Sequence, residues 1–104
     1  MHYGTIEYIT AEGKKIELTL VHEDDEEVLL RDGVTALRRV RLVRLCHEAR
    51  TQGVSLSINE LAELLVTSRS TVYRDLMALK SMGIEVPLKS LRPKGEMVEE
   101  KPAL

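Results

Sequence analysis

The sequence predicts an α+β fold in which a β-hairpin and a short acidic helix precede three further helices. Three observations support it. Early in the chain, apolar residues alternate with polar ones, as in a half-buried strand. Between residues 34 and 82, apolar residues recur at helical spacing. The chain of 104 residues has room for one domain, and no apolar run approaches the ~18 residues that span a bilayer.

Residues 1–33 are predicted to form the hairpin and the short helix. Ile16, Leu18 and Leu20 point one way along a strand, and residues 5–10 before them are rich in β-branched side chains. Residues 11–14 suit the turn. A two-stranded sheet is marginal alone, so the hairpin must pack on the helices or pair with a second copy. The acidic run at residues 23–27 is interpreted as a solvated helix start.

A long helix is expected at residues 34–51. Its buried stripe is expected to contain residues at a spacing of three, widened by two leucines: Leu37, Val40, Val43, Cys46, Ala49, Leu42 and Leu45. Four arginines lie mostly off this stripe and are expected to be solvated, with a phosphate contact by one or two of them as the alternative: Arg38, Arg39, Arg41 and Arg44. Arg44 can pair with Glu48 one turn further along.

Two short helices joined by a tight turn follow. Ser57 and Glu60 form a capping box that opens the helix at residues 58–65. Ser68 can cap the next helix, and Gly83 suits its end. The apolar anchor of this last helix consists of Val72, Leu76 and Leu79. A longer helix followed by two short ones forms the tri-helical core of a helix-turn-helix.

Residues 84–98 suit a small β-hairpin, or wing, with Pro87 and Pro93 at edge or turn positions. The predicted fold class is therefore a winged helix-turn-helix (three-helix core plus small wing) at residues 34–98, after the N-terminal β-hairpin and short acidic helix. Residues 99–104 are expected to be a flexible tail.

This architecture predicts a surface that binds double-stranded DNA. The N-terminal end of the last helix would meet base edges and phosphates in the major groove. The expected contacts there are Arg69, Ser70, Thr71, Tyr73 and Arg74. The expected backbone contacts on the wing are Lys89, Arg92 and Lys94. Helix-turn-helix proteins commonly bind as two-fold dimers, so we also hypothesise a homodimer.

The net charge of −2 hides an uneven distribution. Residues 1–33 hold three basic and nine acidic side chains, and residues 34–104 hold twelve and eight. The predicted helix-turn-helix half is therefore net positive, as a nucleic-acid-binding surface requires.

With LA at residues 61–62, SRSTVYRDL at residues 68–76, Leu79 and GI at residues 83–84, this chain resembles the winged helix-turn-helix of DeoR-type transcriptional regulators. The resemblance implies DNA binding and transcriptional regulation. The chain departs from the pattern at Val66, where Gly is common, and at Tyr73, where Arg is usual. Residues 18–88 are also similar to an uncharacterised prokaryotic family of predicted DNA-binding proteins. The matching pieces are LTL at 18–20, the arginine-rich helix, EAR at 48–50 leading to Gly53, and GIEVP at 83–87. The members of that family continue further, which is consistent with a short member or a fragment.

No motif for catalysis, metal binding or a cofactor is present in the sequence. Cys46 is the single cysteine and is expected to lie in the core. Since the first residues also lack signal-peptide features, we expect a cytoplasmic protein that is not an enzyme and has no membrane partner. Two alternative functions remain open. One is a winged-helix protein–protein interaction module, and the other is a DNA-binding module of a replication, partition or transposition system.

Overall fold

The structure is a computed structural model that describes residues 4–89. Within them a two-stranded antiparallel hairpin is followed by four helices, which confirms the predicted α+β class. The elements are, in chain order, β1 (Thr5–Ile9), β2 (Lys15–Thr19), α1 (Asp25–Asp32), α2 (Val34–Thr51), α3 (Ile58–Leu65) and α4 (Arg69–Ser81). None of the helices in this part of the chain has both the length and the hydropathy to cross a membrane.

The hairpin presents one apolar face to the helices. In its register Ile6 pairs with Leu18 and Tyr8 with Ile16, so these side chains lie on one face of the sheet. Ile16 and Leu18 are buried, and the two β1 residues pack against the same core. The core therefore lies between this face and helices α2, α3 and α4.

The outer edge of β2 is covered by a side chain of α2, Glu48, and by that of Gln52, which caps the helix. The backbone N–H of Thr19 donates to Glu48 Oε1 at 2.7 Å. The side-chain amide of Gln52 accepts from the N–H of Glu17 at 2.8 Å and donates to its carbonyl at 2.7 Å. Uncovered strand edges expose unpaired backbone groups. The hairpin is thus held by the helices of its own chain, and the homodimer stays a prediction.

The buried stripe of α2 differs from the predicted one at Val40. The helix buries Leu37, Leu42, Leu45, Cys46 and Ala49. Val43 is partly buried against the core, whereas Val40 is 41% exposed. A repeat of three residues turns by only about 300°, so it drifts around the helix, and alternating steps of three and four stay on one face. Cys46 is buried as predicted, and this burial raises the pKa of its thiol to about 12.

Asp25, the first residue of α1, is buried beneath two arginines of α2. Its side chain is 5% exposed and accepts from Arg41 Nε at 2.9 Å and from Arg44 Nη1 at 3.0 Å. The backbone N–H of His22 also donates to it, at 3.1 Å. The prediction of a solvated helix start is therefore wrong at Asp25, because α2 packs behind α1. Arg44 bonds Asp25 rather than the predicted Glu48.

The predicted capping box at the start of α3 is confirmed. Ser57 Oγ accepts from the backbone N–H of Glu60 at 3.1 Å, and Glu60 Oε1 accepts from the backbone N–H of Ser57 at 2.9 Å. The second oxygen of Glu60 accepts from the N–H of Ala11 at 2.7 Å. This buried carboxylate thereby joins the hairpin turn to α3. Ser68 caps α4 as predicted, by accepting from the N–H of Thr71.

After α4 the chain returns to the core without forming a strand in residues 84–89. Val86 and Leu88 pack against the core, and the N–H of Lys89 donates to the carbonyl of Leu56 at 2.8 Å. The rest of the predicted wing, residues 90–98, and the predicted tail lie outside the described residues.

Candidate nucleic-acid interface

Helix α4 is held by an apolar anchor that leaves its opposite side at the surface. Val72, Leu76 and Leu79 are 0%, 5% and 3% exposed, as their helical spacing predicts. The helix is joined to α3 by the three residues 66–68. The anchor therefore determines which side chains of α4 face solvent.

The five predicted contacts on α4 lie together in its first two turns. Four of them are exposed and Thr71 is half-buried; the four are Arg69, Ser70, Tyr73 and Arg74. The structure thus brings to one surface all the residues that the sequence assigned to the major groove. Their arrangement follows from the anchor, since side chains three and four positions apart share one face of a helix and the anchor occupies the opposite face.

The two arginines of this surface carry charge that no carboxylate offsets within residues 4–89. Arg69 Nη1 donates to Asn59 Oδ1 at 3.4 Å, and Arg74 Nη2 donates to Thr71 Oγ1 at 3.3 Å. Both acceptors are neutral, and neither arginine forms a salt bridge within the described range. The N-terminal end of α4 adds the partial positive charge of a helix start. This end of the helix can bind an anion.

Lys89 does not join these residues through any contact that the structure describes. Its Nζ lies 2.9 Å from Glu12 Oε2, in the hairpin turn. The hydrogen bond between them lowers the pKa of Glu12 and raises the pKa of Lys89. The other two predicted wing contacts, Arg92 and Lys94, lie outside the described residues.

The turn between α3 and α4 places Val66 in a left-handed conformation. Its φ and ψ are both 54°, and its side chain is 89% exposed. Helix α3 ends at Leu65, so Val66 does not extend the helix. The following N–H, of Thr67, donates to the carbonyl of Ala62 at 3.0 Å, which closes the helix end as in a Schellman motif. Beyond the end of α4, Gly83 has a backbone conformation of the same left-handed kind, with φ of 81°. Val66 thus occupies a glycine position at the cost of backbone strain.

Val66→Gly is expected to raise the free energy of unfolding by about 1 kcal/mol. Strain at such a position costs roughly 1–3 kcal/mol, and the extra freedom of glycine in the unfolded chain offsets part of the gain. Urea denaturation followed by circular dichroism measures the change. Val66→Ala is the control, since it removes the β-branch and keeps a Cβ, and a smaller gain is expected. A loss of stability in Val66→Gly would contradict the strain assigned to Val66.

A buried carboxylate on α4 was not among the residues predicted from the sequence. The side chain of Asp75 is 1% exposed and bonds two α2 arginines, Arg38 and Arg39, which were expected in solvent. Burial alone would raise the pKa of Asp75, but the hydrogen bonds from both arginines outweigh it and lower that pKa. The sequence did contain a pattern that indicates a buried, paired carboxylate. Asp75 falls between Val72 and Leu79 on the apolar face, where an acid needs a partner.

The described residues define a class of protein. It is a small α+β protein whose last described helix presents two uncompensated arginines at its N-terminal end. The chain belongs to the family described as Protein of unknown function (DUF1670), whose model matches residues 6–93. No curated protein and no solved structure matches the chain.

Proposed function

We propose that this protein binds double-stranded DNA through the N-terminal half of α4, and that it acts as a prokaryotic transcriptional regulator. One observation carries the proposal. Arg69 and Arg74 are exposed side by side with Ser70 and Tyr73, without a carboxylate partner in residues 4–89, on a helix whose other face is anchored. Such a helix end matches both the charge of a phosphate and the donors and acceptors of base edges.

In the proposed complex, α2, α3 and α4 form the core of a winged helix-turn-helix. Helix α3 crosses the DNA backbone, and α4 enters the major groove with its N-terminal residues foremost. Arg69 and Arg74 donate hydrogen bonds to base edges or phosphates. Further hydrogen bonds to the DNA come from the hydroxyl groups of Ser70, Thr71 and Tyr73. The bond between the N–H of Lys89 and the carbonyl of Leu56 supports the start of a wing beside the core.

The wing contributes less to the proposal than α4 does. Lys89 would have to exchange its bond to Glu12 for one to a phosphate. Arg92 and Lys94 stay predicted backbone contacts. We therefore assign the binding chiefly to α4.

The first test is an anisotropy titration of the purified protein with a random-sequence duplex at about 50 and 200 mM salt. Each phosphate contact contributes about 0.9 to the slope of log K against log salt, so four contacts would weaken binding about 150-fold over this range. A steep loss is the expected result. A folded protein that binds no duplex at low salt would refute the proposal.

One observation favours a second candidate, a protein–protein interaction module. Val34 and Val66 are 67% and 89% exposed, and they line one groove with Val21, between the end of β2, the start of α2 and the turn after α3. Exposed apolar grooves are typical of binding surfaces for other proteins. An absence of DNA binding would favour this second function, protein–protein interaction.

A further inference from the structure

Two neighbouring arginines of α2 share the buried carboxylate of Asp75, and they use it differently. Arg38 donates through both Nε and Nη2, and its side chain is 22% exposed. Arg39 donates through Nε alone, to Asp75 Oδ1 at 2.9 Å, and its side chain is 31% exposed. Arg38 therefore commits two of its five N–H donors to the carboxylate, whereas Arg39 commits only one and keeps both of its Nη groups for another partner.

The remaining donors of Arg39 are suited to an anion. Within residues 4–89 its two Nη groups make no hydrogen bond. A guanidinium is planar and can bind one acceptor with its Nε edge and a phosphate with its Nη edge at the same time. Because the Nε bond already restricts the side chain, less conformational entropy is lost when a second partner binds.

Arg39 also contacts, through Asp75, the second turn of α4, which is the turn that carries Arg74. Its carboxylate partner, Asp75, follows Arg74 directly on α4. The two arginines and one carboxylate leave a formal charge of +1 at this joint between α2 and α4. That charge adds to those of Arg69 and Arg74.

We propose that Arg39 is a further contact to DNA phosphate, and that Asp75 is the positioning residue that holds its guanidinium beside α4. The inference rests on the proposed function, since it assigns a second element, α2, to the same binding surface. The sequence favoured solvent for the α2 arginines and left a phosphate contact open for one or two of them, and the inference assigns that contact to Arg39.

Arg41 provides a matched control. It too lies on α2, donates to a buried carboxylate through Nε alone, and is 30% exposed. Its partner, however, is Asp25 of α1 rather than a residue of α4. Arg39→Gln and Arg41→Gln therefore remove the same charge and an equivalent bond from the same helix, and only the first removes the proposed contact.

The experiment is a titration of wild type, Arg39→Gln and Arg41→Gln with one duplex at several salt concentrations. Arg39→Gln is expected to bind about 5-fold more weakly at the lowest salt, and to lower the salt slope by about 0.9, the value of one phosphate contact. Arg41→Gln is expected to keep the wild-type slope. Thermal unfolding of each variant verifies that the titrated protein is folded.

Asp75→Asn separates positioning from simple charge. It removes a negative charge beside the DNA, so electrostatics alone predicts tighter binding. Positioning predicts weaker binding in the wild-type background and no further loss in an Arg39→Gln background. If Asp75→Asn fails to fold, the two α2 variants still decide the inference.

The failures of the two proposals are distinguishable. If Arg39→Gln keeps the wild-type slope while Arg74→Ala binds weakly, Arg39 is no contact and the proposed function stands. An equal loss of slope in Arg39→Gln and Arg41→Gln would also overturn the assignment to Arg39. If the wild type shows no salt-dependent binding, the proposed function falls, and this inference falls with it.

Discussion

Asp25→Ala is expected to lower the free energy of unfolding by about 3 kcal/mol, although it lies at the edge of a short acidic helix. Removal of one partner from a buried ion pair costs about 3–5 kcal/mol, because the other charge is left without compensation. The low end applies because Arg41 and Arg44 are 30% and 18% exposed, so water can solvate part of their charge. Urea denaturation at neutral pH measures the change.

The neighbouring Asp24→Ala is the control for this prediction. Its side chain is 75% exposed and makes no capping hydrogen bond in α1, so we expect a change within about 0.5 kcal/mol. Equal losses in the two variants would mean that negative charge at the helix start, and not the buried pair, stabilises α1.

The dependence of stability on pH provides a second measurement of the ion pair of Asp25. Burial raises the pKa of Asp25, but the bonds from Arg44, His22 and Arg41 outweigh it and hold that pKa well below its ordinary value. The pKa of this carboxyl group is about 3.9 in the unfolded chain and lower in the folded protein. Its ionised form therefore stabilises the fold above about pH 3.9, and this contribution is lost as the pH falls below that value. The gap in stability between wild type and Asp25→Ala should therefore narrow below about pH 4.

Arg74→Ala is expected to weaken DNA binding by about 1–3 kcal/mol, or about 5- to 150-fold, if the side chain contacts a base. Arg74 is exposed on the second turn of α4, and its single described bond is to Thr71. The substitution therefore removes little that stabilises the fold, so a loss of affinity reports on DNA binding. Titration against a selected duplex at fixed salt measures it.

Lys80→Ala is the matched control for Arg74→Ala. Lys80 is an exposed cation in the last turn of α4, at the end that the proposed docking directs away from the groove. We expect its affinity to stay within about twofold of wild type, since screening weakens charges beyond about 10 Å. Unchanged affinity in Arg74→Ala, or an equal loss in both variants, would reject the proposed docking of α4.

Much of the described fold could be predicted from local signals. The alternation around Ile16 and Leu18 identified β2, the Ser57 and Glu60 pair identified the start of α3, and Gly83 identified the end of α4. Each of these signals acts within a few residues, through a turn conformation or a bond between neighbouring positions. The surface of α4 followed in the same way, because the spacing of its apolar anchor determines which residues point outward.

Contacts between distant residues could not be predicted in the same way. The pairing of Arg38 and Arg39 with Asp75 spans 37 and 36 positions, and that of Arg44 with Asp25 spans 19. An arginine off the apolar stripe has the same sequence pattern whether it faces water or a carboxylate on another helix. Sequence therefore assigned these arginines to solvent, and only the packed structure identified their partners.

The sequence by itself thus determined the elements, their order and the exposed end of α4, since backbone preferences and apolar periodicity are local properties of the chain. Tertiary structure decided which carboxylates are buried, which arginines keep donors available, and that Val66 takes a left-handed conformation that its own β-branched side chain disfavours. These features depend on how helices pack against one another, because burial and ion pairing are determined by neighbours that are distant in sequence.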